Sequence, residues 1–351
     1  MRLDSVRWVL GALPWMVVGC GGPEAQSSTT VQTSLGSFTA TATDSGDDTT
    51  ADTDGPSGTT AGTDPSATSA DTEPEPDDPK FDLGIQPDVH QEVEDGCTKV
   101  DFLFVVDDSG SMEDDQANLI NNFPNFINGI QATLENVDEY HVGVVTTDVY
   151  GGNPANCRLL GGLVVQTSGS ASSNAVCGPY ATGANYMTEA DNLASAFACA
   201  AQVGVSGAGI ERPMNAMEAA VRGDYAGPGQ CNEGFIREDA LLVIVIITDE
   251  WDGPGDPEGD GSSGSAGTWY DTVVAAKGGI AENIVVVTLS HINGGTCPPS
   301  DVFFNPADIQ TFTEMFGENG FQGCITGDFG AIFMEATGVI EEACNNFVPP
   351  G

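Results

Sequence analysis

A continuous run of apolar, β-forming residues in this chain ends abruptly in polar side chains that carry oxygen. Residues 102–106 are Phe-Leu-Phe-Val-Val, and Asp107-Asp108-Ser109-Gly110-Ser111 follow at once. Such a run is typical of a strand buried on both faces of a parallel sheet. Asp107, Ser109 and Ser111 then place hard oxygen ligands at alternate positions, at the strand end where α/β sheets hold their sites. The segment therefore predicts a core strand and a site for Mg²⁺, Mn²⁺ or Ca²⁺.

Similar apolar runs recur further along the chain and alternate with helical patterns. The runs are Val142–Val145, Leu241–Ile247 and Ile284–Leu289. Helices are expected at about Glu113–Leu134, Leu193–Gln202, Glu211–Arg222, Trp269–Lys277 and Phe329–Cys344. This alternation predicts an α/β fold with a doubly wound, mostly parallel sheet. Residues 97–351 suffice for one such domain, with Gly- and Ser-rich insertions at 150–187 and 253–267.

The first 96 residues predict export and attachment rather than part of the fold. Arg2 and Arg7 precede a short apolar run that ends in Val17-Val18-Gly19-Cys20, which resembles the lipobox of bacterial lipoproteins. The resemblance implies cleavage before Cys20 and acylation of its thiol, so that residues 1–20 are a signal peptide; an ordinary secretory signal is the alternative. Residues 21–96, acidic and rich in Ser, Thr, Pro and Gly, are expected to form a disordered tether.

We therefore expect a cell-envelope protein held to the membrane through lipid alone. Gly21-Gly22 after Cys20 lacks the aspartate associated with inner-membrane retention, which favours the outer membrane or cell surface if the cell is Gram-negative.

The remaining cysteines also indicate export, because their number suits disulfide bonds, which form in an oxidising compartment outside the cytoplasm. Apart from Cys20, the chain has eight cysteines, an even number that is suited to four disulfides. They are Cys97, Cys157, Cys177, Cys199, Cys231, Cys297, Cys324 and Cys344. A zinc site is not expected, because no C-x-x-C pair is present and the three histidines are far apart in sequence. Sequence does not fix the connectivity among 105 possibilities. The pairing expected here joins neighbours, Cys157–Cys177, Cys199–Cys231 and Cys297–Cys324, and closes the domain with Cys97–Cys344.

The charge of the chain narrows the class of partner. Its formal net charge is −43, and residues 97–351 carry 34 acidic side chains against six basic ones. Nucleic acid and anionic lipid are therefore unsuitable partners, since both need basic patches. Cations, basic ligands and plain solubility remain as reasons for the acidity.

Two segments together resemble a known family. Asp107, Ser109 and Ser111 form the pattern D-x-S-x-S after one apolar strand, and Ile246-Ile247-Thr248-Asp249 ends another. Over about residues 97–344 the chain looks like a von Willebrand factor type A domain with its metal-ion-dependent adhesion site. The resemblance implies a Rossmann-like fold and a divalent cation, most simply Mg²⁺, with Ca²⁺ or Mn²⁺ possible, and with Asp249 as the far ligand. The alternative is a plain strand-to-helix turn in which a serine hydroxyl caps the next helix.

The chain departs from the family at one position. Aligning the helix that follows places Glu211 where the family supplies a threonine ligand. If Glu211 also coordinates, the site carries one more negative charge, holds its metal more tightly and captures carboxylate ligands less readily. Alternatively, Glu211 is a solvent-facing charge at a helix N-terminus.

Three functions are compatible with these features. The first is a lipid-anchored binding module, not an enzyme, that engages a protein or glycan of the cell surface with the help of the metal. The second is a metal-dependent hydrolase or phosphotransferase with Asp107 as nucleophile, although the chain offers no phosphate-cradling glycine loop and no histidine near the motif. The third is a structural surface protein whose metal only stabilises the fold.

Overall fold

A parallel five-stranded sheet forms the centre of the domain that the structure describes. The structure, a computed structural model, describes residues 96–134, 137–209, 211–250, 252, 261–292, 297 and 307–351. The predicted signal peptide, Cys20 and the tether up to residue 95 lie outside these residues. The strands are β1 (Lys99–Val106), β2 (Glu139–Thr146), β3 (Leu241–Ile247), β4 (Ile284–Ser290) and β5 (Gly320–Cys324), and their order across the sheet is β2-β1-β3-β4-β5.

Helices cover both faces of this sheet. They are α1 (Glu113–Thr133), α2 (Leu193–Ala201), α3 (Pro213–Val221), α4 (Ala266–Ala276), α5 (Ala307–Glu314) and α6 (Phe329–Asn345), with short 3-10 helices at Ala281–Asn283 and Gly317–Asn319. Helices α1, α2 and α6 share one apolar core, and α3, α4 and α5 share the other. Side chains of β1 alternate between the two cores, since Phe102 and Phe104 enter the first and Leu103 and Val105 the second. The predicted doubly wound α/β fold is confirmed.

Aromatic packing holds the first helices against β1. The rings of Phe123 on α1 and Phe197 on α2 stack with centroids 3.6 Å apart, and Phe104 of β1 meets Phe197 edge-on at 4.7 Å. All three side chains are buried, and each contributes about 1.5–3 kcal/mol through burial. Since β1 and α1 flank the D-x-S-x-S turn, this cluster fixes both ends of that turn.

Some elements differ from the sequence-based expectation. Strand β5 and helix α5 were not expected. The sequence of β5 is Gly-Phe-Gln-Gly-Cys, which has no β-branched residue and so gives no strand signal. Gly320 is required there by packing, since a Cβ at this position would lie 2.1 Å from the carbonyl oxygen of Thr313 on α5. Helix α3 begins at Pro213 rather than at Glu211, so Glu211 belongs to the connection before the helix.

Four disulfides stabilise the domain, and two of the expected pairings are wrong. Cys97–Cys344 and Cys297–Cys324 are confirmed, but the other bonds are Cys157–Cys231 and Cys177–Cys199. The insertion after β2 folds back on the sheet, where the backbone of Val142 pairs with that of Met187. This return brings each of its two cysteines next to a later segment of the chain, so neighbours in sequence are not neighbours in space.

The helices that the structure describes do not meet the requirements of a membrane span. None of them is both long enough and apolar enough to cross a bilayer.

Candidate metal centre

The candidate site lies where the winding of the sheet reverses. From β1 the chain passes to β2 on one side, and it later returns to β3 on the other side of β1. Such a switch point leaves a crevice beyond the carboxyl ends of the two central strands. Val106 and Ile247 pair in register at these ends, and the Asp107 amide donates to the Ile247 carbonyl at 3.1 Å. Residues that follow β1 and β3 therefore meet.

Asp107 is fully buried and held in one orientation. Its Oδ1 accepts the amide hydrogen of Ser109 at 2.8 Å, and its Oδ2 accepts the hydroxyl of Thr248 at 2.5 Å. Burial, with a smaller contribution from the charge of Asp249, raises the pKa of Asp107 to about 6 against the opposing effect of these two hydrogen bonds. Each oxygen keeps a lone pair that could face a cation.

Ser109, Ser111 and Asp249 complete a ring of oxygens beside Asp107. The two serine hydroxyls lie 3.2 Å apart, and the Ser111 hydroxyl donates to Asp249 Oδ1 at 3.1 Å. Ser109 is buried, Asp249 is half-buried and Ser111 is exposed, so the ring opens to solvent on one side. Neither serine caps α1, because Met112 occupies the N-cap position and no side chain caps it there. The plain capping turn considered from the sequence is therefore not what forms.

Glu211 lies beside this ring and does not face solvent. Its side chain is 7% exposed, and its Oε2 accepts the hydroxyl of Thr147. Burial raises the pKa of Glu211 to about 9, and the negative charges of Asp107 and Asp108 add to the shift. The alternative of a solvent-facing helix charge is wrong for this position.

Two further carboxylates, Asp108 and Asp148, were not expected in the site. Asp108 is 1% exposed, and burial, followed by the charges of Asp148 and Asp107, raises its pKa to about 8. Asp148 accepts the Ala208 amide at Oδ2, 2.9 Å away, and the Thr146 hydroxyl at Oδ1. A sequence signal for Asp148 was present, since Thr-Asp follows β2 just as it follows β3.

Gln116 also went unrecognised, and it ties the site to the segment that covers it. From α1 its amide nitrogen donates to the carbonyls of Asp107 and Gly204, at 2.8 and 2.9 Å, and its carbonyl accepts the Gly204 amide. The segment 204–209 then passes so close that a Cβ on Gly207 would lie 2.6 Å from Asp108 Cγ. A lone glutamine in a helix gives no sequence signal for this role.

The chemistry of the donors fits a hard divalent cation. The ring offers the carboxylates of Asp107 and Asp249 and the hydroxyls of Ser109 and Ser111, an oxygen set that suits Mg²⁺, Ca²⁺ or Mn²⁺. In the described part of the chain, no three His, Cys, Asp or Glu side chains form a metal-binding group. A cation here would therefore depend on the hydroxyls, as the D-x-S-x-S pattern predicts.

The rim of the site is also acidic. Asp115, in the first turn of α1, is half-buried, and burial together with the charge of Asp249 raises its pKa to about 6. Among the described residues, none of the ion pairs involves Asp107, Asp108, Asp148, Glu211 or Asp249.

Comparison with known proteins gave likenesses among solved structures alone. No family model matches the chain, and no curated protein matches it. Proximal thread matrix protein 1 from the mussel byssus is 11% identical, with a TM-score of 0.38, over 70% of this chain and 48% of that one. A von Willebrand factor type A protein from Catenulispora acidiphila is 14% identical, with a TM-score of 0.34, over 69% and 42%.

The pilus adhesin SpaC from Lactobacillus rhamnosus GG is 12% identical, with a TM-score of 0.36, over 71% of this chain and 30% of that chain. The chain thus spans less than two thirds of the length of each of these solved chains.

Proposed function

We propose that this protein is a lipid-anchored, extracytoplasmic binding module of the von Willebrand factor type A kind. In this proposal it engages a protein or glycan of the cell surface through a divalent cation, with Mg²⁺ as the first candidate. One observation carries the proposal: Asp107, Ser109, Ser111 and Asp249, from two separate strand ends, meet in a single ring of oxygens.

The ring is suited to binding a surface. A bound cation would supply an open coordination position for an oxygen atom of the partner. Asp107 lies at the closed end of the ring and is held by Thr248, whereas Gly110 and Ser111 are exposed at the open end. A partner can therefore approach the cation from solvent while the ligands behind it stay fixed.

The same geometry argues against the hydrolase alternative. A nucleophilic aspartate needs a free oxygen in contact with its substrate. Asp107 is fully buried, and both of its oxygens already accept hydrogen bonds, from Ser109 and from Thr248. Full burial and two hydrogen bonds hinder an attack on a substrate, whereas the lone pair left on each oxygen suffices for a cation ligand.

The disulfides support the extracytoplasmic part of the proposal. Four bonds form among the eight cysteines that follow residue 96, as expected of a protein that folds in an oxidising compartment. The lipid anchor rests on the sequence around Cys20.

The test is a pull-down from a cell-envelope extract with and without Mg²⁺. We expect wild type to retain a partner in Mg²⁺ and lose it in EDTA, and Asp107→Ala to retain none in either. Asp271→Asn, which removes an exposed carboxylate on α4, is the matched control and should behave as wild type. If folded Asp107→Ala retains the partner as well as wild type does, or if wild type retains it in EDTA, the alternative of a structural surface protein whose metal only stabilises the fold is favoured.

A further inference from the structure

Glu211 has too few hydrogen-bond donors for its burial, and Asp108 lies against the same donor. The Thr147 hydroxyl faces both carboxyl groups, at 3.4 Å from Asp108 Oδ1 and closer to Glu211 Oε2. A hydroxyl has one hydrogen and can donate to one of them at a time. Glu211 Oε1 is buried and has no hydrogen-bond partner. Asp108 also accepts a hydrogen bond from its own backbone amide, so Glu211 Oε1 is the buried oxygen of this pair that lacks a donor.

In the part of the chain that the structure describes, neither Asp108 nor Glu211 takes part in an ion pair. The ion pairs among the described residues involve other acids: Asp101, Glu139, Asp224 and Asp239. A buried, unpaired carboxylate costs several kcal/mol, so a pair of them calls for a cation or for added protons. The buried Asp148, with its oxygens already bonded to Thr146 and Ala208, adds negative charge to the same space.

We propose that Asp108, Thr147 and Glu211 form a second cation subsite, which binds a divalent ion beside the Asp107–Asp249 site. One divalent ion balances the two carboxylates, and the Thr147 oxygen can serve as a neutral ligand once its hydrogen turns away. Oxygen ligands of this kind are those that Ca²⁺ and Mg²⁺ take. The subsite shares no residue with the ring of Asp107, Ser109, Ser111 and Asp249, so the two proposals can fail separately.

The surroundings would enclose such an ion. The Gly207 amide donates to the Asp108 carbonyl at 2.9 Å, and Ala208 bonds to Asp148, so the segment 204–209 closes the subsite on the solvent side. With Thr147 fully buried beneath it, the ion would join the end of β2 to the connection before α3. Its role is therefore to hold the wall of the first site rather than to contact a partner.

Counting bound ions tests the inference. After equilibration with Ca²⁺ and removal of free metal, elemental analysis should find two ions per wild-type molecule, one per Glu211→Gln and one per Asp108→Asn. Asp249→Asn should also hold one, because it loses the other ion, and the double variant Asp249→Asn/Glu211→Gln should hold none.

Glu218→Gln is the matched control. It makes the same change at a similarly buried glutamate, which lies on α3 and bonds to Asn215 and Thr272, and it should keep two ions. One ion in wild type that disappears in Asp249→Asn would overturn the inference while leaving the proposed function intact. Two ions in Glu211→Gln would overturn it as well.

A second measurement leaves the proposed ligands untouched. Tyr150 is buried, and its hydroxyl donates to the Val203 carbonyl at 2.6 Å, directly before the segment 204–209 that closes the subsite. Excitation of this tyrosine should produce emission from Tb³⁺ bound at the subsite, and Glu211→Gln should lose that emission together with the ion. Tyr150→Phe should lower the same emission while still holding two ions. Emission unchanged by Tyr150→Phe would place the ion elsewhere and overturn the inference.

Discussion

Glu211→Gln should stabilise the cation-free protein at alkaline pH. The substitution keeps the size of the side chain and replaces a buried carboxyl group with an amide that cannot ionise. In the wild type, burial and the neighbouring charge of Asp107 raise the pKa of Glu211 to about 9, whereas in an unfolded chain a glutamate has a pKa of about 4.3. The folded protein therefore keeps a proton that the unfolded chain releases.

The sign and the size of the effect follow from this difference. A raised pKa contributes stability that is fully present below about pH 4 and is lost as the pH rises towards 9, with a slope of at most about 1.4 kcal/mol per pH unit. The full slope over the three units from pH 5 to pH 8 would give about 4 kcal/mol. Because Asp107 and Asp108 share the local charge and titrate together with Glu211, we expect wild type to lose a smaller amount, about 1–3 kcal/mol, relative to Glu211→Gln.

Urea unfolding in EDTA at pH 5, 6, 7 and 8 measures this difference directly. The control is again Glu218→Gln, whose carboxylate accepts hydrogen bonds from Asn215 and Thr272 and should show no gain at high pH. The reasoning is refuted if the free-energy difference between wild type and Glu211→Gln is the same at pH 5 and pH 8, or if the variant is the less stable protein at pH 8.

Three other changes have calculable outcomes. Replacing Cys97 and Cys344 by serine opens a loop of 247 residues and should lower the free energy of unfolding by about 5 kcal/mol in urea titrations. Gly207→Ala places a methyl group against Asp108 and should cost about 1–3 kcal/mol, measured in the same way. Gln116→Leu removes three buried hydrogen bonds and should cost about 3 kcal/mol; an unchanged unfolding midpoint would show that these bonds contribute little.

The central part of the fold was predictable because it follows directly from apolar periodicity. Strands β1, β3 and β4 each contain an apolar run that is buried on both faces, and these patterns need no tertiary information. Strand β5 was not predictable, since Gly320 and Gly323 are chosen by close packing against Thr313 and Ile332 rather than by strand propensity. The cysteine pairing likewise depended on how the insertion after β2 folds back, which no local pattern specifies.

The candidate site likewise contains residues that the sequence predicted and residues that it did not. Asp107, Ser109 and Ser111 could be named because oxygen-bearing side chains follow an apolar strand, and Asp249 because the family resemblance implied it. Gln116, whose amide joins α1 to the segment at Gly204, and Thr147, which bonds to Glu211, act through contacts between segments distant in sequence. Such contacts leave no spacing that a single sequence can display.

The measurement that tests the account most directly is titration calorimetry of Mg²⁺ into the metal-free protein. We expect saturable binding by wild type and by the exposed-carboxylate control Asp271→Asn. We expect affinity at least about tenfold lower for Asp107→Asn and for Asp249→Asn, which corresponds to about 1.4 kcal/mol or more. An absence of binding by wild type, or equal affinity in folded Asp107→Asn, would contradict the claim that these strand ends form a metal site.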